Sequence, residues 1–274
     1  MHKTTKRVLT ASALALGLIT VATSASAAIA TNGIASTRHN LGTSNRDANG
    51  LTTPTGLARD GDLFTNGTDE ICVFCHTPHA TNTAANAPLW NKALPNASNY
   101  KVYSSGTMQG TASLTSGSMS LACLSCHDGT QAMDNMINAP GGNGYNAAGA
   151  SLPGTWSNLT DTSNGIMQAG AGIVMLGTDL SNDHPVGIPY GGGGCTTSAG
   201  SCNDPDFRAP SASQNGFAIG SSTVAKENMR IYGSSTTSAT VECASCHDPH
   251  NDVNKTFLRI SNTGSAVCLT CHLK

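Results

Sequence analysis

The sequence predicts a chain of mostly irregular coil, with a few short helices and little strand. Three observations carry that expectation. Of 274 residues, 4% are aromatic and 11% charged, while 30 are glycine. The stretches Pro140-Gly141-Gly142, Gly191-Gly192-Gly193-Gly194 and Gly220-Ser221-Ser222 interrupt regular structure rather than extend it. Eight of the ten cysteines recur at one fixed spacing. A chain with so few large side chains buries too little apolar surface to offset its conformational entropy, so a further apolar body has to complete the core.

The cysteine spacing identifies that body. Cys-x-x-Cys-His occurs four times, at Cys72-Val73-Phe74-Cys75-His76, Cys123-Leu124-Ser125-Cys126-His127, Cys243-Ala244-Ser245-Cys246-His247 and Cys268-Leu269-Thr270-Cys271-His272. This is the attachment pattern for c-type haem: two thiols add to the two vinyl groups, and the next histidine ligates the iron from below. Four covalently bound haem c groups are therefore expected, each a large apolar plate tied to the backbone, with the polypeptide as a thin wrapping. Zinc held by cysteine pairs is the alternative, but it leaves the histidine that ends every motif unexplained. Cys195 and Cys202 fall outside the pattern and are expected to close a local disulfide loop.

Along the chain, residues 1–27 read as a signal peptide. His2, Lys3, Lys6 and Arg7 form a basic start, Val8 to Val21 is apolar, and Ala25-Ser26-Ala27 is a small-residue cleavage site. The apolar run is shorter than the roughly 20 residues of a membrane span, so removal is favoured over an uncleaved anchor, and no later stretch reads as a span. Residues 28–274 then form one domain: an N-terminal arm and haem pair 1/2 (28–127), a Gly/Ser-rich wrapping region (128–242) and haem pair 3/4 (243–274). Both pairs open with Cys-x-x-Cys-His-x-Pro-His, at Cys75-His76-Thr77-Pro78-His79 and Cys246-His247-Asp248-Pro249-His250, as an internal duplication would. Short helices are expected within Leu121 to Met136 and Lys226 to Tyr232, and a short strand at Gly172 to Leu176. Asp60-Gly61-Asp62 and Asp179 to Asp183 read as exposed acidic loops, with calcium binding as a weaker alternative. A formal net charge of −2 gives no case for nucleic acid or an anionic membrane as partner.

The histidines close an arithmetic. Of nine, His2 lies in the leader, and His76, His127, His247 and His272 end the motifs. His39, His79, His184 and His250 remain. Four irons with two axial positions each would use all eight. Met108, Met119, Met133, Met136, Met167, Met175 and Met229 are rival sixth ligands, and are read as packing because the histidines already fill the count. His79 and His250 stand three residues from a motif histidine and leave the backbone on much the same side, so each is expected to reach a neighbouring haem.

These paired motifs resemble the doubled-motif multihaem cytochromes of anaerobic respiration. The Arg38-His39-Asn40 start, the His184-Pro185-Val186-Gly187 segment and four haems in a glycine-rich exported chain are similar to the tetrahaem extracellular cytochrome filaments of metal-reducing bacteria. That resemblance implies a multihaem cytochrome c wrapped around a stacked chain of four haems, polymerised head-to-tail, with a histidine of one subunit ligating a haem of the next; His39 is the candidate for that crossing ligand. It implies electron export to extracellular metal oxides or to other cytochromes. A monomeric periplasmic shuttle shares the chemistry without the fibre. A multihaem reductase needs one iron with an open position, which the histidine count does not leave. The chain is accordingly expected to be an electron carrier and not an enzyme.

Overall fold

The computed structural model describes residues 33–42, 64–140, 144–152, 154–157, 165–168, 175–196, 201–213, 216–220 and 228–273. The expected leader, the Asp60–Asp62 loop and residues 172–174 lie outside the described residues; Met175 and Leu176 belong to no strand. Among the described residues there are four short α-helices: α1 (Ser120–His127), α2 (Tyr190–Gly193), α3 (Cys243–Cys246) and α4 (Ala266–Cys271). The second is a glycine turn, since Gly191 and Gly192 sit at φ 67° and 76°. Strand occurs as short ladders, the longest segment being Gly144–Ala150, paired antiparallel with Met136–Ala139. The largest sheet has three strands, Ser211–Ser213, Gly216–Ile219 and Met229–Ile231.

That third strand corrects the helix expected over Lys226 to Tyr232. Met229 and Ile231 are buried and Arg230 between them is half-buried, which is the alternation of a strand lying on a core. Three residues are too few for a period to be legible, and pairing with Gly216–Ile219 decided the outcome.

Two apolar clusters divide the protein along the duplication. Leu41, Phe74, Met133, Met136, Leu152, Trp156 and Met167 form one, with Cys75 and Cys126 packed against it. Tyr190, Ile219, Met229, Ile231 and Ala239 form the other, with Cys246 and Cys271 packed against it. Each cluster thus supports the second cysteine of both motifs in one pair. A third cluster, Tyr100, Leu114, Leu121, Leu124 and Leu180, lies under α1, and Val186 beside the His184 loop packs on it.

Cys195 and Cys202 form a disulfide in the middle region. The close approach requires Gly191: a Cβ there would stand 2.4 Å from Cys195 Sγ, at a φ of 67°. Closing a loop of this length removes about 2–3 kcal/mol of unfolded-chain freedom. Replacing both cysteines with serine is expected to lower the denaturation midpoint by that order, with haem content unchanged, as measured by guanidinium titration of the Soret band. An unchanged midpoint would mean that the second cluster holds the loop without help.

Candidate haem sites

Each attachment motif is a single helical turn. The histidine N–H donates to the carbonyl of the first cysteine in three of them: His76 to Cys72 at 2.8 Å, His247 to Cys243 at 3.1 Å and His272 to Cys268 at 2.9 Å. The remaining motif lies within α1. A turn of helix brings residues three apart onto one face, so both thiols of a motif present themselves together.

The side chains of the first and third motif histidines are held in the same way. A carbonyl oxygen only accepts, so a ring nitrogen bonded to one must carry the proton, and the other nitrogen keeps its lone pair for a metal. His76 Nδ1 donates to Pro88 O at 2.7 Å, and His247 Nδ1 to Thr256 O at 2.6 Å. The duplication continues through the backbone. Thr77 N donates to Leu89 O and Asn91 N to Cys75 O; Asp248 N donates to Phe257 O and Arg259 N to Cys246 O. In both copies the residue after the anchoring carbonyl is forced to positive φ, Leu89 at 54° and Phe257 at 60°. The first copy carries three more residues in its loop, 12 against 9 between histidine and carbonyl.

Two of the remaining histidines face motif histidines across a gap. His250 and His76 lie with ring centres 6.1 Å apart and planes 13° from parallel. His39 and His127 also stand 6.1 Å apart, with planes crossed at 80°. These separations lie towards the outer end of the range of aromatic pairs. Two imidazoles bound through nitrogen to one metal, at about 2 Å per bond, bring their centres to about 6 Å. Both facing rings are oriented through Nδ1, His39 by Pro249 O at 3.1 Å and His250 by Asp248 Oδ1 at 3.2 Å. The His250 bond holds the Asp248 carboxyl down to about 2. Burial, reinforced by His127, lowers His39 to about 4, so it is neutral near pH 7, the form that offers a lone pair. Phe257 stacks on His39 at 4.4 Å. His79 and His184 are exposed, and His184 Nδ1 donates to Pro185 O at 3.0 Å. His272 packs against Phe207, ring centres 4.5 Å apart.

The thiols form a connected row. Cys75 lies within electrostatic reach of Cys126, Cys123 of Cys243, and Cys246 of Cys268 and Cys271. The attachment turns therefore follow one another in sequence order. Burial pushes Cys75 and Cys271 up to about 12 and Cys246 to about 11. Among the described residues, no three His, Cys, Asp or Glu side chains converge on a single metal position. The buried indole N–H of Trp90, beside His76, has no acceptor among the described residues. A haem fits this donor set: paired thiols on one turn, an anchored imidazole on each side, and an orphaned donor for an acidic edge. When bound, its iron supplies one-electron chemistry. The chain's part is to fix the imidazoles, exclude water from the thiol side and set the charge around the ring.

Among the buried ionisable residues that sequence reasoning missed are Glu242 and Lys92. Glu242, 2% exposed, caps α3 and accepts from Ser120 N at 3.1 Å, from Ser120 Oγ, and from Thr240 Oγ1 at 2.8 Å. Lys92, fully buried, donates to three backbone carbonyls. The Glu242-x-x-Ser245 capping box was a signal for the first; nothing local marks the second. Of the methionines, Met133, Met136 and Met167 sit in the first cluster and Met229 in the second. In the acidic loop, Asp179 Oδ1 accepts from Ser181 N at 3.0 Å and Oδ2 from Lys101 Nζ at 3.1 Å.

The family described as the doubled CXXCH motif matches residues 237–274, which hold the second pair of sites. No curated protein matches the chain. The doubled motif is that of multihaem c-type cytochromes, and the chain carries covalently bound haem c, the equipment of electron transfer.

Proposed function

We propose that the protein is an exported tetrahaem cytochrome that carries electrons by hopping from haem to haem. The observation that carries this reading is the facing of His250 on His76 and of His39 on His127, each pair 6.1 Å apart. Cys72 and Cys75 attach haem 1, with His76 and His250 as its axial ligands. Cys123 and Cys126 attach haem 2, with His127 and His39. Cys243 and Cys246 attach haem 3 under His247; Cys268 and Cys271 attach haem 4 under His272. His79 and His184 then supply the remaining axial positions. An iron with two imidazoles has no open site, so the protein is a carrier and not an enzyme, and its potentials are low.

His250 belongs to the second copy of the motif and serves a haem of the first, which couples the pairs. His39 serves its own chain in this arrangement. If subunits are joined by an axial bond, as the resemblance to cytochrome filaments suggests, the crossing ligand falls to His79 or His184, both exposed. A head-to-tail contact of that kind does not close on itself and grows a fibre. We place the protein at the cell surface, passing electrons to extracellular metal oxides or to other cytochromes. No described helix is long and apolar enough to cross a membrane.

Pyridine haemochrome assay with intact mass, and negative-stain microscopy of the native cell-surface fraction, test this together. Four haems per chain and thin uniform filaments are expected. Fewer than four would break the ligand arithmetic. Four haems in small separate particles would leave the carrier and replace the fibre with a shuttle.

A further inference from the structure

We propose that Lys92 is a redox-tuning residue: its buried ammonium raises the potential of haem 1 above that of haem 3, the equivalent site in the second copy. The proposal rests on the reading that haem 1 is attached at Cys72 and Cys75. Lys92 is 0% exposed, and its Nζ donates to Ala132 O at 2.9 Å, Met133 O at 3.2 Å and Asn135 O at 2.9 Å. Three acceptors require three N–H donors. A neutral amine has two and would turn its lone pair on the third oxygen, so the nitrogen here is the cation. Carbonyl dipoles hold it without cancelling its charge. Among the described residues no carboxylate lies within ion-pairing distance of it. Asp134 is a buried acid within electrostatic reach of Lys92: burial raises its carboxyl, and Lys92 is among the groups that pull it down.

Position makes the charge selective. Asn91 N bonds Cys75 O at 2.9 Å, and Arg259 N bonds Cys246 O at 2.8 Å, so the duplication sets Lys92 of the first copy against Ile260 of the second. In the first copy the Lys92 ammonium within reach of Cys75 is held by carbonyls, whereas in the second the Arg259 guanidinium within reach of Cys246 bonds Ala244 O at 2.8 Å and is offset by the Asp248 carboxylate at 3.9 Å. Ferric haem carries one more positive charge than ferrous, and a fixed cation in a poorly screened interior disfavours the ferric form. Glu242 acts in the opposite sense in the middle of the row. Its buried carboxylate lies within electrostatic reach of Cys123 and Cys243, beside haems 2 and 3. The two charges together tilt the row, so that an electron favours the haem 1 end.

The test is a spectroelectrochemical titration of the full-length holoprotein as wild type, Lys92→Gln and Lys92→Arg. In Lys92→Gln one haem is expected to move to lower potential, with the others unshifted; Lys92→Arg keeps the charge and returns that haem towards the wild-type position. The haem that moves should be the one that loses its low-spin signal in His250→Ala. Lys92→Met, which removes the charge and keeps the length of the side chain, is expected to shift the same haem downward, and serves if Lys92→Gln fails to take up haem. Unchanged midpoints in a fully loaded Lys92→Gln or Lys92→Met overturn the proposal. An equal loss in Lys92→Gln and Lys92→Arg also overturns it, because that is the mark of a strut. A wild-type protein with no haem on Cys72 and Cys75 overturns the site assignment itself.

Discussion

In the His39→Ala protein one haem is expected to lose its low-spin signal and become five-coordinate and high-spin, while the rest are unaffected. His39 faces His127 at 6.1 Å, with Nδ1 anchored by Pro249 O and its ring backed by Phe257. The lost signal should also be recognisable. The His39 and His127 planes are crossed at 80°, whereas those of His76 and His250 are 13° apart. Crossed axial imidazoles leave the iron orbitals nearly degenerate and give a highly anisotropic low-spin resonance; parallel ones give a rhombic one. Electron paramagnetic resonance of the oxidised protein should therefore show both kinds, with the anisotropic line disappearing in His39→Ala and the rhombic one in His250→Ala. Dilution separates a ligand within the chain from one contributed by a neighbour. Wild-type monomers should keep the anisotropic line, and a His39→Ala chain mixed with a chain lacking the second motif should not regain it. Recovery on mixing would return His39 to the role of crossing ligand.

Why this pairing was not legible in the sequence follows from where its parts lie. The attachment turns were legible because thioether chemistry confines two cysteines and a histidine to five consecutive residues. The Cys195–Cys202 loop was legible for the same reason. His39, by contrast, is oriented by a carbonyl 210 residues away. Its sequence neighbours give no sign of Pro249 or His127. The expectation that His79 and His250 each reach a neighbouring haem rested on local geometry alone. His250 stands with its ring centre 6.1 Å from that of His76, across the two copies of the motif. The helix expected at Lys226 to Tyr232 failed for a related reason: a three-residue strand is created by its partner, not by its own composition. Lys92 and Glu242 were the least visible. An isolated lysine or glutamate normally marks solvent, and here three carbonyls and two helix starts, all set by tertiary structure, make burial tolerable.

Glu242 is where the second and third attachment turns meet, and Glu242→Ala is expected to be strongly destabilising. Its carboxylate accepts from Ser120 N and Oγ at the start of α1, from Thr240 Oγ1, and from the backbone of Ser245 as the cap of α3. Cys243 N completes the joint by donating to Ser120 Oγ at 3.0 Å. Two helix starts thus share one anion, and the partial positive charge at each favours it there. Hydrogen bonds to a charged group contribute about 1.5–3 kcal/mol each, so alanine, which orphans several buried donors at once, should cost roughly 3–5 kcal/mol. Glu242→Gln keeps the shape but turns an N–H₂ on a donor, and should cost less than alanine. The functional consequence follows from what the helices carry. The start of α1 precedes Cys123, that of α3 is Cys243, and these two sulfurs lie within electrostatic reach of each other. Loosening the joint should widen the step between haems 2 and 3 while leaving the steps within each pair alone. Thermal melting followed at the Soret band reads the first effect, and flash-induced electron equilibration among the haems reads the second. A Glu242→Ala protein that melts with the wild type would show that the carboxylate clamps nothing. One that melts early but equilibrates at the wild-type rate would show that the haems, once attached, hold their spacing without it.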